Sequence, residues 1–484
     1  MPTDDHPTHD VVVIGAGSTG ENVADYAHKG GLSVALVEED LVGGDCSYWA
    51  CMPSKALLRS PEALAAARAV DGARQAVTGE LDTPAVLARR DSFASGWDDS
   101  GQASWVEGAG LELFRGRGRL SGERSVDVEE PGGAVRHLVA GVAVVVCTGS
   151  EPALPPVPGL AEARPWTTKE ATSAQAPPRR LAVLGGGVAG CEMASAWRAL
   201  GAEEVHVVEQ EPRLLPGTEP EAGRRLAEAL ADRGVDVRTG TRVERVARTH
   251  PGPVEVGLAG GSVIEADELL VATGRRARTD DVGLDAVGLP PGSWLEVDDS
   301  CLVTAVPGGW LYAAGDANHR SLLTHMGKYQ ARICGDAIAA RARGEAAEPV
   351  PWGPYAASAD HRGVPQVVFT DPQVAAVGLT EAGARDRGLP AAIVDYELGQ
   401  VAGAALRADG YSGWARLVVD TERETLLGAT FVGSDVAELL HAATVALVGE
   451  VPLARLWHAV PAYPTLSEVW LRLLEAWRAR GREG

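Results

Sequence analysis

The chain of 484 residues has no run approaching the ~20 apolar residues that a membrane helix needs. Its opening, MPTDDHPTHD, lacks the basic and apolar segments of a secretory leader, and the expectation is a cytoplasmic protein. Aromatic residues are only 5% of the chain, yet 45% is apolar and 23% charged, which excludes a disordered, collagenous or disulfide-rich secreted protein. Basic residues are in deficit, 44 against 66 acidic, and the net charge of −22 argues against nucleic acid or an anionic membrane as a partner. Lysine is scarcest among them: Lys29, Lys55, Lys169 and Lys328 stand alone, and every other basic side chain is Arg. In such a chain a retained Lys marks a place where a compact ammonium point charge is needed. Cysteines number six, and only Cys46 and Cys51 are close in sequence. In a cytoplasmic protein such a pair reads as redox or metal chemistry before it reads as a structural bridge. With no His or further Cys nearby, metal binding is the weaker of the two.

What the chain does have is two copies of one pattern. Asp10-Val-Val-Val-Ile runs into Gly15-Ala-Gly17-Ser-Thr-Gly20, a helical stretch follows from Glu21 to Lys29, and a second strand, Ser33 to Glu38, ends in an acid. Strand, glycine turn, helix, strand and acid together form a dinucleotide fingerprint. The glycines let the backbone approach a pyrophosphate, the helix N-terminus stabilises its charge, and Glu38 can accept from ribose hydroxyls. The pattern recurs from Arg180, with Gly185, Gly187 and Gly190 in the turn, a helix through Leu200, and Glu209 closing the next strand. Two fingerprints imply two dinucleotides bound together, most simply for hydride transfer from a nicotinamide to a flavin. Cys46 and Cys51 follow the first unit, which assigns the flavin there. An acid at 209 suits an unphosphorylated ribose and so favours NADH over NADPH, although Arg213 is near.

Residues 57–140 are richer in Ala, Asp, Gly and Trp, and Pro152 to Pro158 forms a linker. From about residue 350 the texture changes to alternating strands and apolar helices, the last of them Ser467 to Arg480, so a third, α+β domain is expected. The expected division is 1–158 for the first part of the flavin domain, 159–280 for the nicotinamide domain, 281–350 for the second part of the flavin domain, and 351–484 for the C-terminal domain. The fold class is α/β, two Rossmann-like domains plus that α+β domain.

Five residues of regular helix between Cys46 and Cys51 would separate their Cα atoms by ~8–9 Å, whereas a disulfide spans roughly 4.4–6.8 Å. A bridge therefore needs a distorted helix start, and Pro53 is the residue expected to supply it. A bridge of that kind is readily reduced, and a helix N-terminus with Lys55 nearby favours a thiolate.

Gly43-Gly44-Asp45-Cys46-x4-Cys51-Met52-Pro53-Ser54-Lys55 resembles the redox motif of the flavoprotein disulfide reductases, the family of lipoamide dehydrogenase, glutathione reductase, mycothione reductase and mercuric reductase. The likeness runs from about residue 9 to 472. It includes Thr148-Gly149-Ser150, Gly185 to Glu192, Ala272-Thr-Gly274-Arg275, Ala314-Gly-Asp316, Leu323-Thr324-His325, Phe369 to Pro372 and Pro464 to Glu468. The resemblance implies that Cys51 is the flavin-side thiol and Cys46 the outer thiol that meets the substrate. Lys55 and Glu192 would pair where hydride arrives. Gly44, Gly118, Thr148, Gly149, Ser150, Asp316 and the 322–325 segment would line the FAD site with the first fingerprint and Lys55. Gly274 would join the second fingerprint around NAD(P)H. The third domain would make a two-fold homodimer whose last motif enters the partner's active site.

One motif departs from the family's pattern. The thiol-reducing members carry His-Pro-Thr-x-x-Glu, in which the His is the acid and base for thiol exchange. Here the Glu is kept as Glu468, but the His is Tyr463. A phenol, with an ordinary pKa near ~10, accepts protons poorly at neutral pH where imidazole accepts well. Tyr463 is then either a packing aromatic or a sign that lipoamide- or glutathione-type reduction is weakened, and His458 is an alternative base. His441 lies on an apolar helix as a core or interface residue. Mercury reduction is disfavoured, because Trp477 to Gly484 holds no Cys pair and nothing before Asp10 would hold a metal-carrying domain. Three functions stand: electron flow from NAD(P)H through FAD and the cysteine pair to a disulfide or other thiol-reactive small molecule; a diaphorase whose flavin reduces a quinone-like acceptor directly; and a flavin-bound redox sensor or complex subunit with little turnover.

Overall fold

The computed structural model describes residues 8–480, so the expectations drawn from the very first residues and the last four fall outside it. The chain divides into two compact units. One is built from the residues up to Pro53, Asp91–Ala153 and Arg275–Asp360; the other from Ser54–Arg90, Leu154–Gly274 and the residues from His361 onward. The first βαβ segment comprises β1 (His9–Ile14), α1 (Ser18–Lys29) and β2 (Val34–Glu38). Helices α2 (Gly44–Tyr48) and α3 (Cys51–Arg68) follow. The second segment comprises β3 (Arg180–Leu184), α4 (Val188–Ala199) and β4 (Glu204–Val208). Two later helices also carry candidate site residues, α5 (Thr324–Ala342) and α6 (Glu468–Arg480).

In the first unit Val11, Val12 and Val13 are wholly buried on both faces of the sheet, as a central parallel strand requires. β1 lies between β2 and the strand Val135–Val146, with Val13 opposite Leu36 on one side and Val145 on the other. Glu112–Arg115 extends the parallel sheet beyond β2, and Leu311–Ala313 extends it beyond Val135–Val146. The strands Arg117–Gly122 and Ser125–Glu129 add an antiparallel ribbon. All the parallel strands end along one edge, and a ligand crevice is expected outside those carboxyl ends.

The second unit holds a parallel sheet ordered 235–238, β4, β3 and 268–271, a three-stranded antiparallel sheet within 243–266, and a five-stranded antiparallel sheet within 365–433. Trp197 on α4 anchors the core of the parallel sheet. Val469, Trp470, Leu473 and Leu474 of α6 pack with Phe431 in the core of the five-stranded one. Among the described residues no helix is long and apolar enough to cross a membrane.

The cysteine segment differs from the expectation of one helix distorted by Pro53. The helix breaks before Cys51: α2 ends at Tyr48, and Trp49 turns out of helical geometry with φ −138°. Pro53 is the third residue of α3, inside the first turn, where a missing N–H leaves no intrahelical bond unmade.

Candidate active site

A cleft of about 620 Å³ opens at the carboxyl edge of the first unit's sheet. Its wall contains Gly15, Gly17, Glu38, Gly44, Gly118, Thr148, Gly149, Ser150, Asp316, Leu323 and Thr324 together with Cys46 and Cys51. The glycine turn is there for close approach. Gly15 has φ +99°, and a Cβ on it would stand 2.6 Å from the Cys147 carbonyl oxygen. Gly20 is not part of the wall; a Cβ there would collide with the Gly15 carbonyl, so it closes the turn onto α1. Gly44, at φ +65°, faces Gly17, and a Cβ on it would come within 2.8 Å of the Gly17 Cα. His325 is exposed on the second residue of α5 and lies outside the wall.

The carboxylates of the cleft are held in place. Glu38 accepts hydrogen bonds from the Ala16 and Asp40 backbone amides at 2.7 and 2.8 Å. Burial raises its carboxyl above the usual range, and those two amides pull the other way. Asp316 accepts from the Ser150 hydroxyl at 2.5 Å; burial lifts it as well, against Ser150 and Arg275. Arg275 is a site residue that the fingerprints did not single out. Its guanidinium donates to the Ser150 hydroxyl at 2.5 Å and carbonyl at 2.6 Å, and reaches Asp45 of the cysteine helix at 3.4 Å. Its signal in the sequence was only its place after Thr273-Gly274.

The two thiols are within hydrogen-bond reach of each other. Cys51 Sγ also lies 3.3 Å from the Thr324 hydroxyl, at the start of α5. Cys46 is held well above the ordinary thiol range, first by its bond to Cys51 and then by burial, while Thr324 and Lys328 act to lower it. The segment is gripped from behind: the Trp97 indole donates to the Tyr48 carbonyl at 3.2 Å, and Asp99 accepts the Val42 amide at 2.7 Å. The other four cysteines are buried.

The second unit presents its own fingerprint. Gly185, at φ +103°, would place a Cβ 2.4 Å from the Ala272 carbonyl, and Gly190 would collide with the Gly185 carbonyl. Gly187 caps the N-terminus of α4, and Gly274 has φ +141°. Glu209 accepts from the Gly186 and Glu211 amides at 2.6 and 2.8 Å. Arg213, the residue that would favour a 2′-phosphate, donates to the carbonyls of Leu215, Pro216 and Thr218 instead. In the same unit Lys55 donates to Glu192 at 2.8 Å, and the other Glu192 oxygen accepts the Phe369 amide at 2.9 Å. Glu192 is buried, and the Lys55 ammonium sits 5.1 Å from the Phe369 ring centroid.

The C-terminal motif is laid out differently from a base and its orienting acid. Tyr463 is 77% exposed, so it is no core aromatic. Glu468 is buried at the start of α6 and accepts the Gly403 amide at 3.0 Å. His458 and His441 are both exposed, which removes the core reading of His441.

The first-unit cleft suits a flavin dinucleotide on its own chemistry. It combines a glycine cradle that any Cβ would fill, a buried ribose-facing acid, and a Thr148 hydroxyl that is buried without a hydrogen-bond partner. The comparisons agree. The family described as pyridine nucleotide-disulphide oxidoreductase matches residues 9–333, and its dimerisation domain matches residues 364–473. Dihydrolipoyl dehydrogenase 3 of Pseudomonas aeruginosa is 34% identical over 475 residues, covering 95% of this chain and 96% of that protein. A glutathione reductase of Burkholderia cepacia is 31% identical over 470 residues, covering 96% and 98%. In fold, the HOCl-induced flavoprotein disulfide reductase RclA of Escherichia coli superposes with a TM-score of 0.80 at 23% identity, over 96% of this chain and 99% of that one. Matched along nearly its whole length, the chain belongs to the pyridine nucleotide-disulphide oxidoreductases, flavoenzymes that work with FAD and NAD(P)H.

Proposed function

We propose that the protein is a homodimeric reductase that takes electrons from NADH and delivers them through Cys46 and Cys51 to a disulfide or another thiol-reactive small molecule. The observation that carries this reading is the placement of both cysteines, across a helix break, in the wall of the cleft that fits FAD. FAD bound there would supply the two-electron relay between nicotinamide and sulfur. The chain's own residues would do the rest. Glu38, Asp316, Thr148, Gly149, Ser150, Leu323 and Thr324, with the glycines, would hold the dinucleotide. The Lys55–Glu192 pair would fix an ammonium point charge where a Lys has been retained. Gly185, Gly187, Gly190, Glu209 and Gly274 would hold NADH. A carboxylate at Glu209 repels a 2′-phosphate, and Arg213 is engaged by its own loop. Tyr463 and Glu468 would be offered to the partner's site. The expected setting is cytoplasmic, with no nucleic acid or membrane as partner.

Anaerobic addition of NADH followed by alkylation and peptide mapping tests this. NADH should create two alkylatable thiols, at Cys46 and Cys51. An unchanged thiol count, with NADH still consumed by a dye, would favour a second reading in which bound flavin passes electrons directly to a quinone-like acceptor. The observation behind that second reading is the absence of an imidazole at position 463.

A further inference from the structure

Lys55 has a partner in Glu192, and Lys29 pairs with Asp25 on the surface of α1. Lys328 is different. It is exposed on α5, and its ammonium makes no hydrogen bond or ion pair among the described residues. Its electrostatic neighbours are Cys46 and Glu21. Glu21 is a carboxylate the fingerprint does not need. It sits in the first turn of α1, only 7% exposed, and its Oε1 has no hydrogen-bond partner.

The two residues meet because α1 and α5 are packed through glycine. A Cβ on Gly327 would lie 2.3 Å from the Thr19 hydroxyl, and one on Gly335 would lie 2.6 Å from the Tyr26 Cβ. Lys328 follows Gly327, and Glu21 lies two residues after Thr19. Around Glu21 the charged and titratable groups are Lys328 on α5, Glu38 at the end of β2, and Tyr48 on the helix that carries Cys46. Burial raises the Glu21 carboxyl to about 7, Lys328 opposes that rise, and Glu38 adds to it.

We propose that Glu21 and Lys328 form a proton-holding pair for the redox centre: Lys328 steadies a thiolate at Cys46, and Glu21 takes up a proton when that thiolate forms. The inference rests on reading Cys46 and Cys51 as the redox pair. The balance is simple. Two electrons from NAD(P)H break the S–S bond, the proton that accompanies them goes to one sulfur, and the other sulfur remains a thiolate. That new negative charge beside Lys328 raises the proton affinity of Glu21, which takes one proton from solvent. When the thiolate bonds to an acceptor sulfur, the acceptor's leaving thiolate takes a proton. Glu21, facing Lys328 with no thiolate present, then releases the one it held. Glu21 acts through Lys328 and is a positioning residue. The pair supplies within one chain some of the proton handling that a histidine at 463 would have supplied.

The test uses the FAD-loaded enzyme reduced by dithiothreitol, so that it does not depend on NADH. Cys46 alkylation by iodoacetamide is followed by mass spectrometry from pH 5.5 to pH 9. The wild type should show an extra inflection near pH 7, which Glu21→Gln removes. Lys328→Gln should slow alkylation at neutral pH by roughly tenfold, the effect of losing a cation that lowers a thiol pKa by about one unit, and Lys328→Arg should restore it. In the wild type itself, infrared difference spectra should show a protonated carboxyl appearing on reduction. A Glu21→Gln profile superimposable on the wild type, or no carboxyl band in the wild type, overturns the inference. Failure of NADH to reduce the pair, with the alkylation profile as expected, overturns the proposed function and leaves this pair standing.

Discussion

At the scale of single residues, position 463 decides how well the protein can serve thiol exchange. A phenol accepts protons poorly at neutral pH, and among the described residues the hydroxyl of Tyr463 forms no hydrogen bond that would assist it. A positioned general base contributes ~10²–10⁴-fold. Tyr463→His should therefore raise the reduction of lipoamide or glutathione disulfide. The gain should fall at the lower end, roughly 10²-fold, because Glu468 is already accepting the Gly403 amide and is not held ready for an imidazole. Initial rates of NADH oxidation with either disulfide measure this. No gain, in a variant that retains its flavin, would mean that position 463 does not face the exchanging sulfurs of either subunit.

At the scale of elements, the site depends on two glycine contacts between segments distant in sequence. Gly44 begins α2 in left-handed geometry and presses against Gly17, beside the isolated bridge between Gly17 and Gly43. Gly44→Ala meets two costs: about 1–2 kcal/mol for the left-handed backbone, and a Cβ only 2.8 Å from a backbone atom that cannot swing aside. The turn and the cysteine helix must then separate, and the ratio of FAD to protein after purification should fall at least severalfold. Full retention of FAD would show that the cradle tolerates the shift. Much of this was legible in the chain. A run such as Val11 to Val13 followed by spaced glycines and a closing acid leaves little choice of local structure. Lys55 stood out because Arg is the default here. The remainder was written in contacts that no local pattern encodes. The helix break before Cys51 is held from Trp97 and Asp99, some fifty residues away in sequence. Arg275 acquires its meaning from Ser150 and Asp45. Glu21 looks like an ordinary first-turn acid until the glycines of α5 bring Lys328 beside it.

At the scale of the molecule, the acidic surface and the apolar exposure have to be reconciled. Two copies, each with a net charge of −22, repel one another at long range, so association must come from buried apolar area. The stretch matched by the dimerisation domain leaves such area uncovered: Val445 is 55% exposed, Val460 85%, and Tyr463 lies close by in sequence. Val445 and His441 share one face of the helix Leu440–Val448, four residues apart. A charge introduced there would be buried against the second copy without a partner, at a cost of several kcal/mol, while leaving the cofactor cleft of the first unit untouched. Val445→Glu is therefore expected to convert a dimer into a monomer at micromolar concentration, as read by sedimentation velocity. If the second copy completes the acceptor half of the site, the monomer should lose thiol-dependent reduction in proportion to the dimer lost, while NADH continues to reduce a dye. A monomer that still reduces a disulfide at the wild-type rate would show that each chain carries its whole site, and that Tyr463 and Glu468 serve no neighbour.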